Sequence, residues 1–200
     1  MKVCILLLLV SSQLCFAQNA DINLLKDINV NRNKNFDQTF TSITHSSYYV
    51  SLTVPTAMIG TGFIKKDSLL KWNGLQVGTA VIFSVLVTRG LKYSINRTRP
   101  YEKYDFIQNV VAENTPSFPS GHTSSAFATA TSVSMLYPKW YVIVPSYLWA
   151  GSVAYSRMHL GVHYPGDVLG GAIVGAGSSY LTYKANYWLQ KRKKSKLKTN

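Results

Sequence analysis

SRMHLGVHYPGD, residues 156–167, contains a histidine followed four residues later by an aspartate, with an arginine six residues before that histidine. A histidine attacks through an unprotonated ring nitrogen, and it presents one most easily when its other nitrogen donates a hydrogen bond to a carboxylate. His163 is therefore the candidate nucleophile and Asp167 the candidate carboxylate. Because Arg157 adds a fixed positive charge, the stretch predicts a nucleophilic site for an anionic substrate.

Two earlier segments supply the other parts of such a site. KYSINRTRP, residues 92–100, carries Lys92 and Arg99, and PSGH, residues 119–122, carries a second histidine. A phosphomonoester has close to two negative charges, so its transition state needs several cations and backbone donors. The glycine of PSGH allows close approach to a ligand, and the Thr/Ser/Ala run after it predicts a helix whose N-terminus attracts anions. Ser120 is a candidate hydroxyl donor or helix cap.

Together, the three segments resemble the type 2 phosphatidic acid phosphatase superfamily, which includes lipid phosphate phosphatases, bacterial acid phosphatases and vanadium haloperoxidases. The family pattern is K-x6-RP, then PSGH, then SR-x5-H-x3-D, and the chain matches every fixed position from Lys92 to Asp167. Helical flanks are expected to extend the resemblance over residues 46 to 185. The resemblance implies a helical bundle that hydrolyses phosphate esters.

The resemblance also assigns a role to each matching residue. His163 would form a phosphohistidine, Asp167 would orient it, and His122 would act as general acid for the leaving group. The implied phosphate ligands are Lys92, Arg99, Ser120, Arg157 and the backbone amide of Gly121. In this family no metal or other cofactor is required, because the basic side chains stabilise the charge.

Taken one at a time, the same residues have simpler interpretations. Lys92, Arg97 and Arg99 follow an apolar run, as a solvated or headgroup-facing basic cluster would. PSG is a common turn before a helix, and Arg157 and Asp167 can simply pair with each other. These interpretations explain single residues and leave the spacing of the three segments unexplained.

Metal binding is a further alternative, because His159, His163 and Asp167 recur every four residues, as ligands on one helical face would. Gly161 and Pro165 interrupt that helix, which argues against a common face. We therefore interpret His159 as a neighbour of the site and predict no metal ligands.

The chain divides into a leader, a polar segment and a bundle. Residues 1–17 have a lysine, an apolar run and a small-residue ending, typical of a cleaved secretory signal peptide. Cys4 and Cys15 are the only cysteines, so cleavage leaves no disulfide framework. Residues 18–45 predict an amphipathic segment that lies on the membrane surface, covers the bundle or forms an ordinary surface helix. Residues 46–190 form the predicted phosphatase bundle.

Beyond Asp37 the sequence has five long stretches without Asp, Glu, Lys or Arg. They are Gln38 to Ile64, Trp72 to Thr88, Thr123 to Pro138, Trp140 to Ser156, and Val168 to Tyr183. A soluble bundle would give each helix a charged solvent face, which these stretches lack, although several are shorter than the roughly 20 apolar residues of a full span. Small residues line the last stretch, as in closely packed membrane helices. We predict five transmembrane helices after a cleaved leader, or six if it is uncleaved.

Charge placement predicts the orientation independently, because cytoplasmic loops and ends are enriched in Lys and Arg. With the start of the first span outside, residues 65–71, Lys139 and the basic tail at residues 191–200 all fall inside. The three motif segments then fall together on the outer face. For a bacterial-type chain this predicts an inner-membrane protein whose site faces the periplasm, with a soluble periplasmic protein as the alternative.

The net charge of +13 is concentrated at the C-terminus, where six of the eight residues from Lys191 to Lys198 are basic. A basic tail next to an apolar helix is typical of the cytoplasmic side and of contact with anionic lipid headgroups. Since no nucleic-acid motif accompanies it, we predict no nucleic-acid partner.

The sequence thus predicts a metal-independent membrane hydrolase that acts on lipid phosphate monoesters or diphosphates through a phosphohistidine. Isoprenyl diphosphates, phosphatidylglycerol phosphate, phosphatidic acid and lipid A phosphates are all open as substrates, as is the oligomeric state. The alternatives are a soluble exported acid phosphatase of broad specificity, a vanadate-dependent haloperoxidase, and a lipid-binding or transport protein without turnover. The presence of both His122 and His163 argues against the last.

Overall fold

Seven helices make up the part of the chain that the computed structural model describes, which is residues 19–196, with side chains described through Leu189. They are α1 (19–30), α2 (Asp37–Ile64), α3 (Ser68–Ile95), α4 (Pro100–Lys103), α5 (Gly121–Leu136), α6 (Trp140–His159) and α7 (Pro165–Lys196), with a 3-10 turn at Lys34–Phe36. No β-strand occurs between residues 19 and 196, so the predicted all-helical fold class is confirmed. The predicted signal peptide and the side chains of the predicted basic tail lie outside the described residues.

The helix ends follow from local sequence signals. Asp67 caps α3 by accepting a hydrogen bond from the Leu70 amide at 3.0 Å. At the other end Asn96 adopts a left-handed conformation with φ of 48°, and its amide donates to the Lys92 carbonyl at 2.9 Å. Helix α7 starts at Pro165, a residue suited to the first turn of a helix. These signals place Lys92 in the last turn of α3 and Asp167 in the first turn of α7.

The turn between α6 and α7 depends on a glycine. Gly161 has φ of +73°, and a Cβ there would lie 2.5 Å from the carbonyl oxygen of Gln108. After it, the amides of Val162 and His163 both donate to the Arg157 carbonyl, at 3.1 and 3.3 Å. The chain therefore reverses tightly enough to bring His163 back beside the end of α6.

Helix α5 is the centre of the bundle, and it packs against α2, α3, α6 and α7. Small residues allow the helices to pack this closely. A Cβ at Gly171 of α7 would lie 2.6 Å from the carbonyl oxygen of Ser120, the residue that precedes α5. Hydroxyl groups join the same two helices, since Ser132 donates to Ser179 at 3.0 Å and Ser179 donates to the Ala128 carbonyl at 2.8 Å. Small residues and interhelical hydrogen bonds of this kind are typical of helix packing in membranes.

Gly175→Leu is expected to destabilise the protein by about 1–3 kcal/mol, because a Cβ at Gly175 would collide with the Ser124 carbonyl oxygen of α5. Gly177→Leu is the matched control, since no atom lies within 4 Å of a Cβ at Gly177. Thermal unfolding of the purified variants measures the difference. An equal loss of stability in both variants would contradict close α5–α7 packing.

The two ends of the bundle carry different residues. At one end the start of α3 meets the ends of α5 and α7, where Asn73 donates to the Tyr137 hydroxyl at 3.1 Å and Asn186 donates to Gln76 at 2.6 Å. The end of α3, the start of α5, the end of α6 and the start of α7 therefore lie at the other end. All three motif segments are at that second end.

The outer faces of the long helices carry large apolar side chains. Exposed examples are Leu52, Phe63, Ile82, Leu86, Trp140, Leu148, Ile173 and Leu181. Each of the five charge-free stretches falls largely within a long helix, but Ser68–Lys103 is the one stretch among the described residues that is both long and apolar enough to cross a membrane. The predicted count of five or six spans accordingly stays a prediction.

Helix α1 covers the motif end of the bundle. Its Ile22 and Leu25 are buried in a cluster with Ile107 and Tyr164. Asn29 donates to the backbone carbonyl oxygen at the end of α6 at 2.8 Å and accepts from the Gln108 amide at 2.8 Å. Residues 19–30 of the predicted N-terminal polar segment thus pack against the motif end of the bundle, and which of its three interpretations applies stays a prediction.

Candidate active site

His163 and Asp167 lie in the turn after α6 and the first turn of α7, and both side chains are buried. The Nδ1 atom of His163 is 3.4 Å from the Asp167 carboxylate, while its Nε2 atom is 3.4 Å from a guanidinium nitrogen of Arg99. If Nδ1 carries the proton and donates it to the carboxylate, Nε2 keeps its lone pair on the side of the cation. The sequence-predicted pair is thus brought together, with Nδ1 facing the carboxylate and Nε2 facing the cation.

Three further groups hold the Asp167 carboxylate in place. Arg97 donates to one carboxylate oxygen at 2.6 Å, while Ser117 and the Tyr164 amide donate to the other. Arg97 also pairs with Asp21 of α1 at 2.7 Å, and its guanidinium stacks 3.9 Å from the ring centre of Tyr164. Because every contact favours the ionised carboxylate in one orientation, Asp167 is suited to fix the tautomer of His163.

Arg99 joins the first and third motif segments to the loop that precedes the second. Its Nε donates to the Thr115 carbonyl at 2.7 Å and one terminal nitrogen donates to the Val162 carbonyl at 2.9 Å. The same terminal nitrogen faces His163, and Arg99 as a whole is 1% exposed. Arg99 therefore presents a fixed charge beside Nε2 of His163.

Arg157 is buried at the end of α6 and pairs with a residue that the sequence did not indicate. One terminal nitrogen donates to the Thr44 hydroxyl of α2 at 2.8 Å, and the other donates to the carboxylate of Glu113. The alternative in which Arg157 pairs with Asp167 is wrong, because Asp167 is held by Arg97 instead. The Nε–H of Arg157 has no hydrogen-bond partner within the described residues, so this buried cation keeps a free donor.

Lys92 supports the loop that carries the second motif. Its ammonium donates to the carbonyl oxygens of Pro116 and Ser117. The group is also within electrostatic range of Arg99 and Arg157. Lys92 is therefore part of the same cationic cluster as the two arginines, and it does not form the solvated cluster of the simpler interpretation.

PSGH forms the start of α5. Ser120 occupies the N-cap position without making a side-chain cap bond, and its hydroxyl accepts from Thr123 at 2.9 Å. A Cβ at Gly121 would meet only the methyl group of Thr88, at 3.9 Å, so the glycine leaves open space beside the helix N-terminus. His122 is buried with its ring 4.5 Å from that of Tyr48 and within electrostatic range of Arg157.

His159 belongs to a different group of side chains. Its ring Nε2 is 2.9 Å from Asp37, and its ring lies 4.2 Å from that of Phe40. Since α6 ends at His159 and α7 starts at Pro165, there is no continuous helical face for the metal-binding alternative.

The electrostatics of the site favour a neutral imidazole at His163. Burial lowers the pKa of His163 to about 3, although the hydrogen bond and charge of Asp167 act to raise it. His163 is consequently unprotonated at pH 7. Burial acts to raise the pKa of Glu113, but the charges of Arg157 and Arg99 and the Arg157 hydrogen bond outweigh it and hold that pKa below its ordinary value.

Four residues at this site were not predicted as site members: Thr44, Arg97, Glu113 and Ser117. In the sequence, Arg97 is only part of a basic cluster with Lys92 and Arg99 after an apolar run. Thr44, Glu113 and Ser117 lie outside the three motif segments. Only the fold brings them to the cluster.

A family model described as the PAP2 superfamily matches residues 73–191. Phosphatidylglycerophosphatase B of Bacillus subtilis is 33% identical over 172 residues, which is 79% of each chain. A lipid A 1-phosphatase of Rhizobium etli is 33% identical over 119 residues, 56% of this chain and 50% of that protein. The chain thus spans about half the length of that relative.

The fold is similar to that of a solved structure. The first transmembrane PAP2-type phosphatidylglycerolphosphate phosphatase from Bacillus subtilis superposes with a TM-score of 0.72 at 27% identity, covering 86% of each chain. The match extends well beyond the motif segments, to the helices that position them.

Proposed function

The chain is a member of the PAP2 superfamily, and from this premise we propose that it hydrolyses lipid phosphate monoesters or diphosphates through a phosphohistidine at His163. One observation carries the proposal. The neutral imidazole of His163 has a carboxylate at Nδ1 and the guanidinium of Arg99 at Nε2, as attack on a phosphate group requires.

In the first step of the proposed reaction, Nε2 of His163 forms a bond to phosphorus while the bond to the leaving oxygen breaks. Burial and the charge of Arg157 lower the pKa of His122 in the free site, so His122 takes up a proton together with the anionic phosphate, whose charge favours the imidazolium, and gives that proton to the leaving oxygen. In the second step His122 takes a proton from water, the water oxygen attacks phosphorus, and the bond to Nε2 breaks. Inorganic phosphate is released from a monoester, and both histidines return to their starting states.

Arg99, Arg157 and Lys92 would carry the electrostatic part of the reaction. The free Nε–H of Arg157 would gain an acceptor from a phosphate oxygen, since a buried donor without a partner costs about 1–3 kcal/mol. Amides at the start of α5, including that of Gly121, and the Ser120 hydroxyl would add neutral donors. We propose that these groups make a metal ion unnecessary.

We place the protein in a membrane, with the site on the periplasmic face of a bacterial-type inner membrane. Support comes from the exposed apolar faces of the long helices, from the span-length stretch Ser68–Lys103 and from the transmembrane relative. The motif end of the bundle is opposite the end that carries Lys65, Lys66 and Lys71, which is the arrangement that the positive-inside rule favours. A lipid phosphate would then meet the cations at the interface while its chains stay in the bilayer.

The substrate class is tested by a phosphate-release panel on the purified chain. It contains isoprenyl diphosphate, phosphatidylglycerol phosphate, phosphatidic acid, lipid A and a soluble aryl phosphate, each with and without EDTA. We expect kcat/KM for at least one lipid substrate to exceed that for the aryl phosphate by about tenfold or more, with no loss in EDTA. Preference for the aryl phosphate would favour a soluble-type acid phosphatase, and loss of activity in EDTA would contradict metal independence.

A further inference from the structure

Glu113 lies on the loop between α4 and α5, and its carboxylate sits between two of the phosphate-binding candidates. One carboxylate oxygen accepts a hydrogen bond from Arg157, and the other is 3.8 Å from a terminal nitrogen of Arg99. The side chain is 22% exposed, whereas those of the two arginines are 1–2% exposed. The carboxylate thus reaches inward from the loop to the buried cations.

We infer that Glu113 is an internal anionic ligand that competes with the substrate phosphate for Arg99 and Arg157 and so limits the affinity of the site. The inference rests on the proposed function, because it takes these arginines as the phosphate site. Carboxylate and phosphate oxygens use the same guanidinium donors in the same fork geometry. A phosphate that accepts from the free Nε–H of Arg157 would also need a terminal nitrogen to complete the fork, and one terminal nitrogen is already bonded to Glu113.

Charge makes simultaneous occupancy unfavourable. The positive charges of Arg157 and Arg99 keep Glu113 ionised at neutral pH. A phosphate group in contact with the same nitrogens would lie within a few ångströms of the carboxylate, where like charges repel by about 4 kcal/mol at an effective dielectric constant of 20. Substrate binding therefore requires that the carboxylate leaves Arg157.

A cavity next to Glu113 can hold its carboxylate once that group has left Arg157. A surface cavity of about 480 Å³ borders Glu113 and is lined also by Asn96, Thr98, Glu102 and Thr115, among others. The backbone stays fixed on both sides, because the Tyr101 hydroxyl donates to the Glu113 carbonyl at 3.1 Å and Arg99 holds the Thr115 carbonyl. A rotation of the side chain toward this cavity would release Arg157 while these two contacts hold the backbone of the loop.

The size of the effect follows from the fraction of molecules whose site is free. When only a fraction of the protein is competent to bind, the apparent dissociation constant equals the intrinsic one divided by that fraction. If Glu113 occupies the arginines in about nine molecules of ten, removal of its charge tightens phosphate binding about tenfold. A purely structural ion pair predicts the opposite, since its loss would loosen the site.

The test uses the full chain and inorganic phosphate as the probe, with affinity measured by calorimetry and turnover measured on the best lipid substrate. Glu113→Gln is expected to bind phosphate about tenfold or more tightly, and to lower KM with kcat within about threefold of the unchanged chain. Asp105→Asn removes the same charge from an exposed position of the same loop and is expected to change neither value by more than about twofold.

Equal or weaker phosphate binding by Glu113→Gln would overturn the inference, and so would an equal gain in Asp105→Asn. If Glu113→Gln does not fold, Glu113→Asp takes its place, because the shorter side chain keeps the charge but cannot reach both arginines. It is expected to bind phosphate at least about threefold more tightly, and no gain would overturn the inference.

Binding is measured without turnover, so the two proposals can fail separately. Tighter phosphate binding in Glu113→Gln without phosphate release from any substrate would refute the phosphatase and support the role of Glu113. Normal turnover in Glu113→Gln without tighter phosphate binding would support the phosphatase and refute the role of Glu113.

Discussion

His163→Ala is expected to lower kcat at least about 1000-fold on every substrate that the unchanged chain hydrolyses, because it removes the atom that attacks phosphorus. The imidazole contacts Arg99 and Asp167 but belongs to no apolar cluster within residues 19–189. The loss should therefore appear in turnover while the protein stays folded. Steady-state phosphate release and far-ultraviolet circular dichroism measure the two effects.

His45→Ala is the comparison variant, because His45 is an exposed histidine on α2 that lies within electrostatic range of His122 and contacts neither His163 nor Asp167 among the described residues. It is expected to keep kcat within about twofold. If His163→Ala retained full activity, a covalent mechanism through this residue would be excluded. A similar loss in both variants would mean that the effect is not specific to His163.

Asp167→Asn is expected to lower kcat by about 100- to 10,000-fold with little change in KM, because the carboxylate fixes the tautomer of His163 and stabilises its charge as it reacts. An amide at this position can present its NH₂ group to Nδ1, which favours the tautomer that carries a proton on Nε2. That tautomer has no lone pair toward phosphorus. Initial-rate measurements across a range of substrate concentrations separate kcat from KM.

Asp21→Asn provides the comparison for this second variant. Asp21 contacts the same Arg97 at 2.7 Å, yet it belongs to α1 and is not a partner of His163. It is expected to lower kcat less than about tenfold. An equal loss in the two variants would show that the Arg97 ion pairs act on the fold rather than on the histidine.

Much of the fold could be predicted because the charge-free stretches are long and separated by clear signals. Pro165, which interrupts the helical pattern in the sequence, starts α7 in the structure. The position of the N-terminal segment could not be predicted in the same way. Its apolar residues indicate a helix, but Ile22 and Leu25 find their partners in a loop more than 80 residues later, which no local pattern indicates.

The candidate site was predictable where spacing constrains it. His163 and Asp167 are four residues apart. Because one lies in the short turn before α7 and the other in its first turn, their side chains stay close together. The partners of the arginines were not predictable, because they depend on tertiary packing. Arg157 pairs with Thr44 and Glu113, which come from two elements that the motif does not include.

The role of Ser117 also could not be predicted from the sequence. It lies three residues before Ser120 in a loop without regular structure, so the direction of its hydroxyl does not follow from periodicity. In the fold this hydroxyl donates to Asp167 and is 3.4 Å from Nδ1 of His163. A loop side chain that orients a reacting group can be identified only when the structure shows where the loop lies.

The proposed mechanism is tested most directly by rapid acid-free quenching of the chain during turnover, followed by mass spectrometry of its peptides. We expect phosphate on the peptide that contains residues 156–167, attached to His163 and absent from His163→Ala. Phosphate on a different residue, or single-turnover hydrolysis at the full rate with no phosphorylated peptide, would contradict nucleophilic attack by His163.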